Sequence, residues 1–415
     1  MRPTKQTPIH QTGCLAELVC SNSLKSNLLT NASGLLKAEM RLLNSIVVAC
    51  ADENRLPAGE ALAVDREHFA ECVTRRVTDL PNVTLIREEI TEIPDGVTVI
   101  ATGPLTSDAL AKAIADLTGR NYLYFYDAVA PTITADSIDL SKVFRASRYG
   151  KGDADYLNCP MTEAEYNGFW EALVSAERAP LAEFESFKLF EGCMPVEELA
   201  SRGRQTLSFG PMKPVGLTDP RIHTDPYGPG NRPYAVVQLR QENVEGTLWG
   251  MVGFQTRLRW GEQERVFRMI PGLESAEFAR FGVMHRNTYI ESPKLLAPTL
   301  ALKPPQNLKP TTQNPLFFAG QITGVEGYVE SAAMGIIAGI NAARLIEGEA
   351  PIIFPRESMM GSLADYISNP ETPDFQPMNA NFGILPKPDP PIRNKRDRQS
   401  AQVELALEAI KSLVF

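Results

Sequence analysis

The spacing of apolar and polar residues along the chain predicts a mixed α/β protein. Apolar residues recur at helical spacing in residues 35–51 and 66–78, and Asp65 directly precedes the second segment as a helix cap. Another helix is expected to begin after Thr106 or Ser107 and to end at Gly119. Short apolar runs predict strands. The predicted strands are 83–86, 89–93, 97–101, 122–126, 207–209, 234–239, 253–258 and 316–319, and the further helices are 163–177, 329–345 and 401–413.

Residues 316–345 combine a compact apolar strand, a glycine-punctuated loop and a helix that is rich in small residues. Small side chains let a helix lie close to a sheet or to a bound group. The free N–H groups and the partial positive charge at a helix start favour an anionic ligand, such as a reduced flavin. Close packing of the helix on the sheet explains the same pattern without a ligand, so the pattern alone leaves both interpretations open.

Length and composition restrict the class of protein. The 415 residues, of which 43% are hydrophobic and 22% charged, suit a globular protein with a large core and two domains. No apolar run approaches the roughly 18 residues of a membrane span, and the N-terminus lacks the apolar core of a secretory signal. We therefore expect a cytoplasmic protein without a membrane partner. Six scattered cysteines and four histidines show no metal-ligand spacing, so we expect free thiols and no metal site.

The formal net charge of −9 argues weakly against a nucleic-acid partner, because phosphate binding normally rests on basic clusters. Local basic groups nevertheless occur, and on charge alone a solvated surface is the favoured interpretation of them. These groups are Arg202, Arg204 and Lys213, then Arg257, Arg259 and Arg265, then residues 393–398.

Long sequence motifs occur over nearly the whole chain, although no G-x-G-x-x-G dinucleotide fingerprint is present in it. The motifs are residues 1–3, 7–10, 17–23, 63–66, 101–107, 156–161, 190–195, 210–217, 283–288, 318–331 and 376–383. In these motifs the chain resembles the TrmFO family, the tRNA uracil-5-methyltransferases that use methylenetetrahydrofolate and FAD. Residues 221–231 form a loop that looks longer than is usual in that family.

The resemblance implies an α/β fold, with an FAD-binding Rossmann-like domain and an inserted mixed α/β domain. The FAD-binding parts are expected at 1–120 and 296–350, the inserted substrate- and tRNA-binding domain at 121–295, and a C-terminal tail and helix at 351–415. The family pattern begins with a strand-loop-helix-strand unit of about 30 residues, which we expect this chain to lack. A chain without that unit is expected to retain flavin poorly and to be less stable, because adjoining apolar surface would lie open.

The activity that the resemblance implies is C5-methylation of the T-loop uridine of tRNA, which forms ribothymidine. Uracil C5 is a poor nucleophile; addition of a thiolate to C6 activates it, and a base must later remove the C5 proton. The resemblance assigns Cys193 as the C6 nucleophile and Cys20 as the general base, or as the partner of a methylene-flavin intermediate. The remaining cysteines, Cys14, Cys50, Cys72 and Cys159, are interpreted as small packed side chains.

The resemblance also implies the ligands and their contacts. FAD is the expected cofactor, methylenetetrahydrofolate the one-carbon donor, NADH or NADPH the reductant, and tRNA the partner. His285 and Arg286 are expected to contact folate or tRNA, and Lys213 to help hold the tRNA arm. Expected FAD contacts are Thr102, Gly103, Gly320, Gln321, Gly327, Tyr328 and Ser331. Weaker FAD candidates, for which a surface salt bridge is the alternative, are Arg2, Asp65 and Arg66.

Two other interpretations remain open. A flavin-dependent oxidoreductase of another kind, such as a wobble-uridine modification enzyme, shares the style of the flavin domain, although Cys20 and Cys193 speak against it. The non-enzymatic alternative is a tRNA-binding remnant that has lost FAD and catalysis. The sequence leaves the oligomeric state open.

Overall fold

The structure, a computed structural model, describes residues 7, 9–119, 123–150, 153–180, 194–219, 232–304, 315–372 and 375–413, with the side chains of 123–127 and 285–286 excepted. Strands and helices are interspersed along these residues. The strands are β1 Ser23–Ser26, β2 Arg55–Leu56, β3 Ala61–Val64, β4 Thr98–Ile100, β5 Leu123–Ala128, β6 Thr132–Thr134, β7 Phe144–Arg145, β8 Tyr156–Met161, β9 Ala235–Gln241, β10 Leu248–Met251, β11 Phe278–Arg280, β12 Met284–Tyr289 and β13 Leu316–Phe318. The helices are α1 Ala32–Leu42, α2 Ile46–Glu53, α3 Arg66–Thr78, α4 Asp108–Thr118, α5 Glu163–Ser175, α6 Val196–Ser201, α7 Thr206–Phe209, α8 Trp260–Phe267, α9 Ser292–Leu295, α10 Tyr328–Ile346, α11 Met359–Tyr366 and α12 Lys395–Lys411.

The predicted caps of α3 and α4 are confirmed. Asp65 accepts hydrogen bonds from the N–H groups of Glu67 and His68, which have no partner inside the helix. Ser107 accepts from Leu110 in the same way, and α4 ends at Gly119, whose φ of 63° lies in the left-handed region that glycine adopts without strain. These local signals place both helices within a residue or two of their predicted bounds.

Several predicted elements are wrong. Residues 83–86 and 89–93 form no strand within the described stretch 9–119; they lie mostly exposed, and no neighbouring strand pairs with them. Residues 207–209 belong to helix α7, and 253–258 are irregular apart from one bridge at Leu258. Short apolar runs do not distinguish strand from helix, which explains these errors. The helix predicted at 35–51 is two helices, α1 and α2, and α11 was not predicted.

The first core joins the N-terminal and C-terminal parts of the chain. Helices α1, α2, α3, α10, α11 and α12 all contribute buried apolar residues to it. By length and composition alone, α10 could cross a membrane, which differs from the expectation that no apolar run is long enough. Val329, Ala333 and Ile337 of this helix are buried in the first core, so a core helix explains its composition.

The second core lies within residues 133–276 and is built on a six-stranded sheet in the order β11-β6-β10-β9-β8-β7. The strand pairs of this sheet are antiparallel. Strand β12 pairs with β5 in a separate antiparallel pair. Strands β4 and β13 pair in parallel, with Thr98 opposite Leu316 and Ile100 opposite Phe318. Because the carboxyl ends of parallel strands meet at one edge, the loops after β4 and β13 lie side by side.

Candidate functional site

A cavity of about 740 Å³ opens where the loops after β4 and β13 meet. This volume is within the roughly 300–1,000 Å³ of small-molecule sites. One wall consists of residues 101–105 and the start of α10, and a second, adjoining wall includes Val19 and Cys20. Apolar side chains of α2 and α3, such as Val47 and Val73, complete the lining.

The structure brings most of the predicted site residues together around this cavity. Cys20 lines it together with the seven residues expected to contact FAD, namely Thr102, Gly103, Gly320, Gln321, Gly327, Tyr328 and Ser331. Sequence reasoning missed His10, Glu326 and the apolar residues from α2 and α3. The i, i+4 spacing of Val73 and Val77 on α3 was the available signal for the apolar wall.

The start of α10 is shaped for close approach of a flat, partly anionic group. Gly327 precedes the helix with a φ of 122°, and among the described residues no side chain caps the first turn. A Cβ on Gly327 would lie 2.2 Å from Glu330 Oε2, a buried atom without a hydrogen-bond partner in the described part of the chain. Bare glycine backbone and an uncapped helix start are features that fit a flavin.

Cys20 is held by Tyr328, the first residue of α10. The Tyr328 Oη accepts hydrogen bonds from the backbone N–H groups of Val19 and Cys20, both at 2.9 Å, and lies 3.0 Å from Cys20 Sγ. The pKa of Tyr328 is raised well above its usual value, mainly by burial and next by the negative charge that the Cys20 thiolate would carry. The tyrosine therefore stays a neutral phenol that links the helix start to the thiol.

Three arginines from three different elements bind the segment 18–22, which we call the Cys20 segment. Arg66 of α3 donates to the Leu18 carbonyl at 2.7 Å, and Arg280 of β11 donates to the Val19 carbonyl at 3.3 Å. Arg240 of β9 donates to Asn22 Oδ1 at 2.7 Å and to Ser21 Oγ at 2.8 Å. The second core thereby contacts the cavity wall through two of its strands.

The charge of Arg66 is compensated by a buried carboxylate. Its Nε donates to Glu242 Oε2 at 2.5 Å, and Glu242 Oε1 lies 4.0 Å from Arg240. Burial alone would lower the pKa of Arg66, but the Glu242 carboxylate raises it. Burial lowers the pKa of Arg240. Arg66 is thus a largely buried ion-pair partner, not a surface salt bridge, and it is absent from the cavity lining.

The remaining predicted site residues are only partly placed. His285 and Arg286 lie on β12, whose backbone packs against Gly103–Leu105 and Gln321–Thr323 at the cavity. Lys213 is exposed and is absent from the cavity lining. Cys193 lies outside the described residues, as does the loop predicted at 221–231. The described residues on both sides of Cys193 are hydrogen-bonded to the segment 255–257. Ala179 donates to the Arg257 carbonyl and Val196 to the Gln255 carbonyl, each at 2.7 Å.

The other cysteines and one basic group behave as ordinary structural residues. Cys50, Cys72 and Cys159 are buried, and burial raises the pKa of Cys50 to about 12. Cys14 is half-buried. The group Arg257, Arg259 and Arg265 forms ion pairs with Glu198, Glu177 and Glu262 at 2.5, 3.0 and 2.6 Å.

A family model and several known proteins match this chain over most of its length. The family model described as Glucose inhibited division protein A matches residues 5–350. Methylenetetrahydrofolate–tRNA-(uracil-5-)-methyltransferase TrmFO of Pelotomaculum thermopropionicum is 61% identical over 412 residues, which cover 99% of this chain and 91% of that protein. The protein of the same name from Bacillus cytotoxicus is 58% identical over 414 residues, covering 100% and 92%.

Solved structures agree on the fold. Aquifex aeolicus GidA in one crystal form matches with a TM-score of 0.66 and 18% identity, covering 95% of this chain and 71% of that chain. A second crystal form gives a TM-score of 0.65, also at 18% identity, covering 95% and 67%. The predicted α/β fold class is therefore confirmed.

Proposed function

The chain belongs to the TrmFO family of methylenetetrahydrofolate–tRNA-(uracil-5-)-methyltransferases, and we propose that it methylates C5 of the T-loop uridine of tRNA. The observation that carries this proposal is the position of Cys20 in the same cavity as the glycine-rich start of α10. Proton removal and one-carbon transfer occur on the same uracil ring. The reaction therefore needs a thiol beside the cavity in which the flavin is proposed to bind.

FAD is proposed to bind in this cavity, against the loop 101–105 and the start of α10. When bound, the flavin supplies the reducing equivalents that convert the folate-derived one-carbon unit into a methyl group. The glycines allow close contact, and the helix start stabilises negative charge on the ring. NADH or NADPH is the proposed reductant, and the cytoplasm the proposed location.

The chain's own residues are proposed to activate the uracil. The Cys193 thiolate adds to C6, and the electron pair of the C5–C6 double bond moves toward the C4 oxygen, which makes C5 nucleophilic. After C5 has gained its new carbon, Cys20 accepts the C5 proton. The C6–S bond then breaks, and the C5–C6 double bond is restored.

Residues 121–295 are proposed to form the inserted domain that holds tRNA, with contacts from Lys213, His285 and Arg286. The backbone of β12 packs against Gly103–Leu105 and Gln321–Thr323 at the cavity, which supports this role for His285 and Arg286. The target base must leave its stack to reach the cavity, since its C5 and C6 atoms are covered in folded RNA.

The proposal is tested with purified protein, added FAD, methylenetetrahydrofolate, NADPH and an unmodified tRNA transcript. Nucleoside mass spectrometry measures 5-methyluridine, and nuclease mapping locates it. Cys20→Ala is expected to lower the rate about 10²–10⁴-fold, the usual contribution of a general base. Cys14→Ala is the matched control, a half-buried thiol outside the cavity lining, and is expected to keep the wild-type rate.

Absence of 5-methyluridine from reactions of flavin-loaded wild-type protein would refute the proposal. Modification at the anticodon instead of the T loop would favour the wobble-uridine alternative. A protein that binds tRNA but never retains flavin would favour the non-enzymatic alternative.

A further inference from the structure

The hydrogen bonds of Tyr328 give a direction to its contact with Cys20. A phenol oxygen can accept two hydrogen bonds and has one hydrogen to donate. Both acceptor positions are used by the N–H groups of Val19 and Cys20. The hydroxyl hydrogen therefore points to Cys20 Sγ, 3.0 Å away, and the sulfur acts as the acceptor. The raised pKa of Tyr328 agrees with this direction, because the phenol keeps its hydrogen.

Positive charge also acts on the same sulfur, since Arg66 and Arg240 interact electrostatically with Cys20. Guanidinium groups bind the Cys20 segment from α3, β9 and β11. Opposing them are the carboxylate of Glu242 and that of Glu17, which accepts from Gln11 and Thr12 in the preceding segment. The titratable groups that surround the Cys20 segment are Tyr328 on α10, Glu326 just before α10, Arg66 on α3, Asp65 at the cap of α3, Arg240 and Glu242 at the end of β9, Arg280 on β11, and His10 and Glu17 on the preceding segment.

Each of the three guanidinium groups donates to an oxygen of the Cys20 segment, and two of them, Arg66 and Arg240, also interact electrostatically with Cys20. Reactive cysteines are found beside arginine or lysine, because nearby positive charge stabilises the thiolate. A hydrogen bond donated to the sulfur favours the thiolate as well. The structure thus combines two independent means of stabilising negative charge at one atom.

We propose that Tyr328, Arg66, Arg240 and Arg280 are positioning residues that hold Cys20 as a thiolate. The phenol donates to the sulfur, while the guanidinium groups fix the Cys20 segment and balance its charge. This inference rests on the proposed function, in which Cys20 removes the C5 proton, since a general base must be deprotonated before it can act.

The test measures the rate of Cys20 alkylation by iodoacetamide against pH, followed by mass spectrometry of the Cys20 peptide in the whole protein. Wild-type Cys20 is expected to react with a midpoint below the value of about 8.5 for a free thiol. Tyr328→Phe removes the donor, so its midpoint is expected to rise by about one unit and its rate at neutral pH to fall about tenfold.

Arginine variants give a second measurement that does not depend on the folding of Tyr328→Phe. Arg280 is the most suitable of the three because it is less buried than Arg66 and Arg240. Arg280→Gln is expected to move the midpoint in the same direction by a smaller amount, and Arg280→Lys to recover most of the shift. Recovery by lysine would separate the effect of charge from that of packing.

Matched controls lie elsewhere in the chain. The Tyr366 hydroxyl donates to the Gln376 carbonyl at 2.7 Å, and Arg268 donates to the Ala276 carbonyl at 2.9 and 3.0 Å. Tyr366→Phe and Arg268→Gln are expected to leave the alkylation profile unchanged. A wild-type midpoint at the free-thiol value, or unchanged profiles in both Tyr328→Phe and Arg280→Gln, would overturn the inference.

The alkylation test needs neither tRNA nor folate, so it is independent of methyl transfer. A protein that shows the expected profile but forms no 5-methyluridine refutes the proposed function and leaves the thiolate intact. A protein that methylates tRNA while Cys20 titrates as a free thiol refutes the inference alone.

Discussion

Two walls of the cavity are built by different means. The α10 wall is formed by backbone, with glycines at 320 and 327 and an uncapped helix start. The Cys20 wall is held by side chains that reach it from α3, β9, β11 and α10. A backbone wall is damaged by added atoms, whereas a wall of buried charges is damaged when one partner is removed. The predictions below probe this difference.

The largest expected effect is on the Cys20 wall. Glu242→Gln leaves Arg66 buried without its carboxylate, and breaking a buried pair costs about 3–5 kcal/mol. Urea denaturation measures the change in the free energy of unfolding. Glu262→Gln is the control, because its 2.6 Å pair with Arg265 is on the surface and is worth less than about 1 kcal/mol. Equal losses in the two variants would show that the Cys20 wall does not depend on buried charge.

A smaller effect is expected on the α10 wall. Gly327→Ala forces a side chain into a φ of 122° and places its Cβ against Glu330, at a cost of about 1–3 kcal/mol. The variant is also expected to bind added FAD more weakly than the wild type, measured by titration of flavin fluorescence. Gly339→Ala is the control: this exposed glycine inside α10 has open space around its Cβ position, so alanine is expected to add about 0.8–1 kcal/mol of stability. An FAD affinity in Gly327→Ala equal to that of the wild type would contradict the role given to this wall.

The smallest effect concerns a buried charge behind the α10 wall. Lys37 is fully buried, and burial lowers its pKa to about 7 from the ordinary 10.5. Between these values the unfolded chain binds the proton more than the folded protein does, so stability rises with pH; the cost of burying Lys37 is absent above pH 10.5 and fully present below about pH 7.

Lys37→Met removes this titration. From pH 8 to pH 9 the unfolding free energy of the wild type is expected to gain up to about 1.4 kcal/mol relative to the variant. Denaturation curves at the two pH values measure the difference. Glu39, whose pKa burial raises to about 8, is present in both proteins and cancels. Parallel pH dependence of the two proteins would contradict the shifted lysine.

Much of the α10 wall could be predicted from the sequence because its signals are local. A strand, glycines and a small-residue helix follow one another within residues 316–345, and capping residues mark other helices in the same way. The predicted strands at 83–86 and 89–93 show the limit of local signals, since a strand also needs a neighbouring strand that apolar spacing does not reveal.

Of the Cys20 wall, only Cys20 itself could be predicted from the sequence. The family motif identified Cys20, but Arg240 and Arg280 gave no signal, because their partners Asn22 and Val19 are 218 and 261 residues away along the chain. Arg66 was expected as a weak FAD contact or as part of a surface salt bridge, and it pairs with Glu242 while only 13% of its side chain is exposed. Contacts of this kind follow from how the two cores meet, which is a property of the whole fold.

Tyr328 belongs to both walls. It is the first residue of α10, and its hydroxyl oxygen accepts hydrogen bonds from the backbone N–H groups of Val19 and Cys20. We therefore expect occupancy of the cavity and protonation of the thiol to be thermodynamically linked. If a ligand at the first turn of α10 shifts the pKa of Cys20, protonation of Cys20 must change the affinity for that ligand by the same factor.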